Sequence, residues 1–431
     1  MPRTYAHRTR PVLVPIVLAA LLACAAAQTV DPATRTVTLA PSGRDDTGAL
    51  RAAFDACRAL GPGCTVRLEP GVFRTAQHVI EGFRGTFEGA GMDVSVIEPL
   101  APLRVSTDET AIARPPTPEN PWPMLFVFID PEMRMRDLGF RVVTPETTDT
   151  WTIFGMELNV LATMVSLTGH RARVDVERVA IDAVEGPWFG TSLINGFFVQ
   201  GVLPGPSGGF GDRPSLAGRV TIRDARFDGP DGGVSISNLS GAEVVISDSV
   251  FDGVYSVLIS DVGESRIEVQ GNVIRSNDVA VWVAAGELRQ PSGPSTVVVH
   301  GNLIQADPGA AGVEVLDIGE PRTLRLYLID NRFELDGARA GVTGSADGVV
   351  ATRNVFAGSA DVGIRVGSPG DEADEGPPPA ASGWTLLAND LTGLRTDVGV
   401  AVTSEASGSI VACEGAARVV DEGTATVAAC D

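Results

Sequence analysis

Two carboxylates three positions apart, Glu314 and Asp317, close a short segment, Ala311 to Asp317, in which apolar residues alternate. Cleaving a glycosidic bond takes two carboxyls about 5–9.5 Å apart, one acid and one base or nucleophile. Arg365, in the similar segment Val362 to Val366, is the cation that could act as base beside clustered acids in calcium-assisted elimination from an acidic sugar. Trp282 offers a flat face on which a sugar ring can stack, and Asp261 ends another such segment. Trp188 and Phe189 lie in a Gly- and Pro-rich stretch over 185–218, which together with 151–169 reads as long insertions. Aromatics on a loop beside Asp182 and Glu185 suit a sugar platform. Each residue also has a plainer role: Asp261 and Asp317 as turn formers, Trp282 as cover for an apolar neighbour, and the aromatics as packing.

Other chemistries are excluded or thinly supported. The 431 residues contain no lysine, so all 33 basic side chains are arginine. Schiff-base chemistry, a lysine general base and a P-loop lysine are therefore ruled out. His78, His170 and His300 are scattered with no zinc-ligand spacing. The acidic run 371–375 could hold calcium loosely, though such runs are usually just solvated. No other cofactor or metal is expected. A net charge of −21 repels nucleic acid and anionic lipid.

The elements that must position these residues are repeats. A template ending in two apolar positions five apart recurs as Met135/Phe140, Val176/Ile181, Ile222/Phe227, Ile246/Phe251, Val269/Ile274, Val299/Ile304, Leu328/Phe333, Ala351/Phe356 and Leu386/Leu391. From Phe227 onward the last positions fall 24, 23, 30, 29, 23 and 35 residues apart. Asn fills one slot in five copies, at 272, 302, 331, 354 and 389. A strand of alternating apolar residues follows each copy, such as Val279 to Val283 and Val398 to Val402. Coils of this length that cannot bury a core alone must stack as a β-solenoid, in which the Asn side chains bond to one another and to backbone at tight turns. If the valines of these strands point inward, Ser235, Leu258, Trp282, Glu314, Thr343, Arg365 and Ala401 form one outward row.

The ends read differently. Asp45-Asp46-Thr47 followed by Ala49 to Cys57, with Gly61 as a stop, predicts a capped amphipathic helix that plugs the solenoid core. Cys57, Cys64, Cys413 and Cys430 form two local pairs at opposite ends, and of three possible pairings Cys57–Cys64 and Cys413–Cys430 close short loops. Arg3, Arg8 and Arg10 precede the apolar run Val12 to Ala23, as in an export signal. Cleavage after Ala25-Ala26-Ala27 and a lipobox, Leu21-Leu22-Ala23-Cys24, remain two alternatives; the second makes Cys24 a lipidated residue and the only membrane attachment. The expected organisation is a leader over 1–27, a lead-in over 28–44, the solenoid with its cap over 45–412 and a disulfide-stapled end over 413–431.

The stretch Asp45-Asp46-Thr47-Gly48-Ala49-Leu50, then Thr65-Val66-Arg67-Leu68-Glu69-Pro70-Gly71-Val72-Phe73, then Gly85-Thr86-Phe87-Glu88-Gly89-Ala90-Gly91 resembles the start of pectate-lyase-like (pectin lyase-like) right-handed parallel β-helices. The Asn turns and Gly-Val-x-Val strands extend the resemblance over about 45–404. It implies an all-β parallel β-helix with a short N-terminal capping α-helix, and a substrate groove along the strand bearing Trp282 and Glu314. It does not imply one activity, because the superfamily holds lyases, hydrolases, epimerases, tailspikes and adhesins. The expectation is an exported protein of the cell envelope or medium that binds a polysaccharide or a surface protein along its flank. A polysaccharide lyase, hydrolase or epimerase, and a structural or adhesive rod, are the alternatives.

Overall fold

A computed structural model describes residues 28–100, 124–143, 151–153, 156–158, 160–184, 192–201, 215–285, 293–317, 323–367, 380–415 and 418–430. Trp188, Phe189, Cys24, the Ala25–Ala27 site and the acidic run 371–375 lie outside them. The described strands form one long sheet wound into coils, in which almost every pairing is parallel and joins each coil to the next. Parallel strands need a crossover, and here each crossover is the remainder of a coil.

The registers reproduce the sequence repeats. Met135, Val176, Ile222, Ile246, Val269, Val299, Leu328, Ala351 and Leu386 are consecutive partners. The other end of the template forms a second inward column, in which Phe227 stacks on Phe251 and Phe333 on Phe356, with ring centroids 4.5 Å apart in both pairs. Small residues opposite make room for these rings. A Cβ on Gly312 would lie 2.8 Å from Phe333, and one on Gly341 2.7 Å from Phe356.

The third strand of each coil forms a twelve-rung register among the described residues, from Val79 to Val420. At about 4.8 Å per rung this spans roughly 50–55 Å. The stretch 160–169 proves to be part of this register rather than an insertion, since Val160–Thr168 pairs with both Met124–Ile129 and Ser192–Gln200. Phe197 is correspondingly a core residue. Among the described strands, only the small antiparallel hairpin of Trp151–Ile153 and Met156–Leu158 stands apart from the main sheet.

Helix α1 (Thr47–Leu60) presents Leu50, Ala53, Phe54 and Cys57 to the core. Phe54 sits 5.2 Å from the rings of both Phe83 and Phe87. Asp46 stands at the N-cap, but its carboxylate does not bond the helix. It accepts instead from the backbone N–H of Ser42 and of Arg74, fastening the helix entry to the first coil. Cys57 and Cys64 are disulfide-bonded with Cα atoms 5.5 Å apart. Cys413 is also held in a disulfide, and its backbone stands in register with Cys430.

The Asn column is a continuous hydrogen-bond ladder. The Oδ1 of Asn302 accepts from the backbone N–H and the side-chain Nδ2 of Asn272, at 2.9 and 3.0 Å. The same two bonds run from Asn302 to Asn331, Asn331 to Asn354 and Asn354 to Asn389. Each Nδ2 also donates to a carbonyl of the preceding coil, as Asn331 does to Val299 at 2.8 Å. All five side chains are buried, so every polar atom taken from water is given a partner.

Candidate functional site

Alternation along the third strand sets the outer surface. With Val281, Val313, Val342 and Ile364 facing the core, Leu258, Trp282, Glu314, Thr343 and Arg365 follow one another on the outside. Trp282 is half-buried between Leu258 and Glu314, with part of its ring open to solvent.

Glu314 does not pair with Asp317. Asp317 is an odd-numbered residue after Val313 and Val315, so it turns from the outer row and has no exposed surface. The two carboxyls therefore cannot flank one accessible bond. Arg365 lies two rungs from Glu314, about 10 Å by strand spacing, with buried Thr343 between them. Asp261 is buried too, and its backbone is left-handed at φ 49°, as a corner of the coil requires.

The partners that Glu314 does have come from the corner just before the strand. Arg339 donates to its carboxylate. The same guanidinium nitrogen lies 4.0 Å from Asp278. Both carboxylates are thus within 4.0 Å of one cation, which limits their separation to about 8 Å, inside the upper bound that a pair acting on one glycosidic bond requires. Tyr255 completes the cluster by a hydrogen bond to Asp278. Burial, then that bond, raises its phenol well above the ordinary value, so it stays protonated and able to donate. The cluster occupies four consecutive coils beside Trp282, in the order Tyr255, Asp278, Glu314 and Arg339.

Of the residues singled out in the sequence, Trp282 and Glu314 lie on this flank; Tyr255, Asp278 and Arg339, which the structure places beside them, were not among them. A signal was present: the position preceding each registered strand is polar in most coils, with Asp231, Asp278, Arg339, Asp361 and Asp397. Alternation within the strand does not extend across the corner, so this column was invisible to it. Among the described residues no group of three or more His, Cys, Asp and Glu gathers as a metal set, and no helix is long and apolar enough to cross a membrane.

No protein-family model matches the chain, and no curated protein matches it. Solved structures do. A DFA-IIIase from Arthrobacter chlorophenolicus A6 in complex with DFA-III aligns with a TM-score of 0.50 at 11% identity, over 85% of this chain and 89% of that one. An exopolygalacturonase from Thermotoga maritima gives 0.49 at 10%, over 89% and 91%. The mannuronan C-5 epimerase AlgE6 A-module of Azotobacter vinelandii gives 0.46 at 16%, over 89% and 96%. At such identities the likeness concerns the path of the backbone and not the chemistry. Strand register and the backbone likeness to the DFA-IIIase together give this chain a right-handed parallel β-helix fold.

Proposed function

We propose that the protein is an exported glycan-binding β-helix that holds a neutral sugar chain along the flank bearing Trp282. The observation that carries this reading is the half-buried indole of Trp282 next to a polar cluster whose charge Arg339 partly offsets. A sugar ring stacks on the indole through its C–H face. The carboxylates of Asp278 and Glu314 and the Tyr255 oxygen accept from hydroxyls, while Arg339 donates. Because Arg339 offsets one of the two negative charges, the cluster suits a neutral ligand better than a carboxylated one.

Titrating a panel of neutral and acidic oligosaccharides while following tryptophan fluorescence and heat tests this. A neutral member of the panel should bind, and Trp282→Ala should weaken it about tenfold, the loss expected for one ring contact of about 1.4 kcal/mol. Silence across the panel, or equal binding by Trp282→Ala, refutes the assignment. The spacing of Asp278 and Glu314 supports a second reading, cleavage of the bound chain. It requires new reducing ends or unsaturated products that disappear in Glu314→Gln.

A further inference from the structure

A different face of the rod, formed by the strands that carry the first half of the template, has the opposite charge character to the chain as a whole. On its first five strands, Cys64–Leu68, Arg84–Glu88, Glu132–Val143, Arg171–Val184 and Leu216–Arg223, the outward positions in the shared register hold eight arginines and four carboxylates. The whole chain carries −21. One row of this face is closed by tight pairs, with Arg67 and Arg136 sharing Glu88 at 2.6 and 2.7 Å and Arg223 on Glu177 at 2.8 Å.

The neighbouring positions are not closed. Arg84 and Arg173 share Glu132 only at 3.7 and 3.8 Å, and Arg219 lies 3.7 Å from Glu243. Their side chains are 64%, 80% and 59% exposed, so these contacts contribute little and are easily exchanged for another anion. Arg134 makes no ion pair among the described residues. Arg84, Arg134, Arg173 and Arg219 thus stand on four successive rungs about 4.8 Å apart; Arg84, Arg173 and Arg219 share one row with Glu132 on its second rung, and Arg134 lies two residues further along that rung, between Thr86 and Asp175. Arg84, Arg134 and Arg173 line a cleft of about 410 Å³ together with Glu132 and Asp175, leaving it one positive charge in excess, and with Pro62 and Gly63, just after helix α1.

We infer that this arginine line is a second binding surface, independent of the Trp282 flank, for an extended acidic polysaccharide lying parallel to the rod. Guanidinium forks match carboxylate and sulfate groups bidentately, and an extended pyranose chain advances by close to one strand spacing per residue. The outward positions of these five strands are Arg, Glu, Asp, Thr and Ala, with no aromatic on which a base could stack. That composition disfavours single-stranded nucleic acid.

The test is capture of the full chain on immobilised polygalacturonate and dextran sulfate at low salt, with single-stranded DNA of equal charge as competitor. Wild type should bind at least one of the two polysaccharides, resist displacement by the DNA and be released by about 0.3 M salt, as exposed charge pairs are screened. Arg134→Ser with Arg173→Ser should bind about tenfold more weakly, while Arg134→Lys with Arg173→Lys, which keeps the charges but not the forks, should fall between. Both variants should retain the wild-type melting temperature, since both side chains are exposed. Failure of wild type to bind either polymer, displacement by DNA at equal concentration, or wild-type affinity in the Ser variant each overturns the inference.

Discussion

His78 shows how one side chain can set a pH limit on the molecule. It is buried beneath helix α1, stacked on Phe126 at 5.0 Å and within 2.5 Å of the Thr75 hydroxyl. Burial, reinforced by Arg51, lowers its pKa to about 4. The folded protein therefore favours the neutral ring, whereas the unfolded chain protonates near pH 6.5. The stability this group contributes is complete above about pH 6.5 and is lost as pH falls toward 4. A shift of that size corresponds to about 3 kcal/mol. Carboxylates titrate in the same range, so the informative quantity is the difference between wild type and His78→Gln in urea midpoints from pH 7.5 to 4. That difference should narrow by about 3 kcal/mol on acidification; a constant difference would refute the role.

At the scale of elements the Asn ladder decides how one coil sits on the next. Asn331→Ala removes an acceptor of two donors from Asn302 and the donor to Val299 and Asn354. Leaving the Asn302 amide groups buried without a partner should cost about 2–4 kcal/mol, read as a lower urea midpoint. A loss below 1 kcal/mol would show that water replaces the missing amide. Such ladders were legible in the sequence because a repeated residue at a fixed slot of a repeated template leaves few geometries. The proposed binding cluster was legible only in part. Trp282 and Glu314 obey strand alternation and were singled out, but Asp278 and Arg339 lie just before the registered strand and Tyr255 at its first position, on three different coils. Asp317 misled for a related reason, since three residues along a strand lands on the opposite face.

At the scale of the whole molecule each coil contacts only its neighbours, so damage should stay local. Phe54→Ala empties the centre of the ring cluster formed with Phe83 and Phe87 and should cost about 3–5 kcal/mol. Amide exchange should accelerate in Cys64–Leu68 and Arg84–Glu88 and remain unchanged in Val398–Val402. Uniform acceleration along the rod would mean that it unfolds as one unit. The fold itself was evident from repeats, but the distribution of charge was not. A chain of −21 reads as uniformly repulsive to anions until the register collects eight arginines on one end of one face.

The Asn ladder also has a direction. Each amide passes one Nδ2 hydrogen to the next coil and accepts the matching one from the coil before, and the hand-over is identical at every step from Asn272 to Asn389. An amide receiving those donors cannot distinguish which copy they come from. Duplicating or excising one copy therefore leaves no mismatched junction in the chain of amides, whatever happens to the loops outside it. Length is in this sense a free variable of the architecture: ancestors of this rod could gain or lose reach in units of one coil while the interior remained satisfied at every intermediate stage.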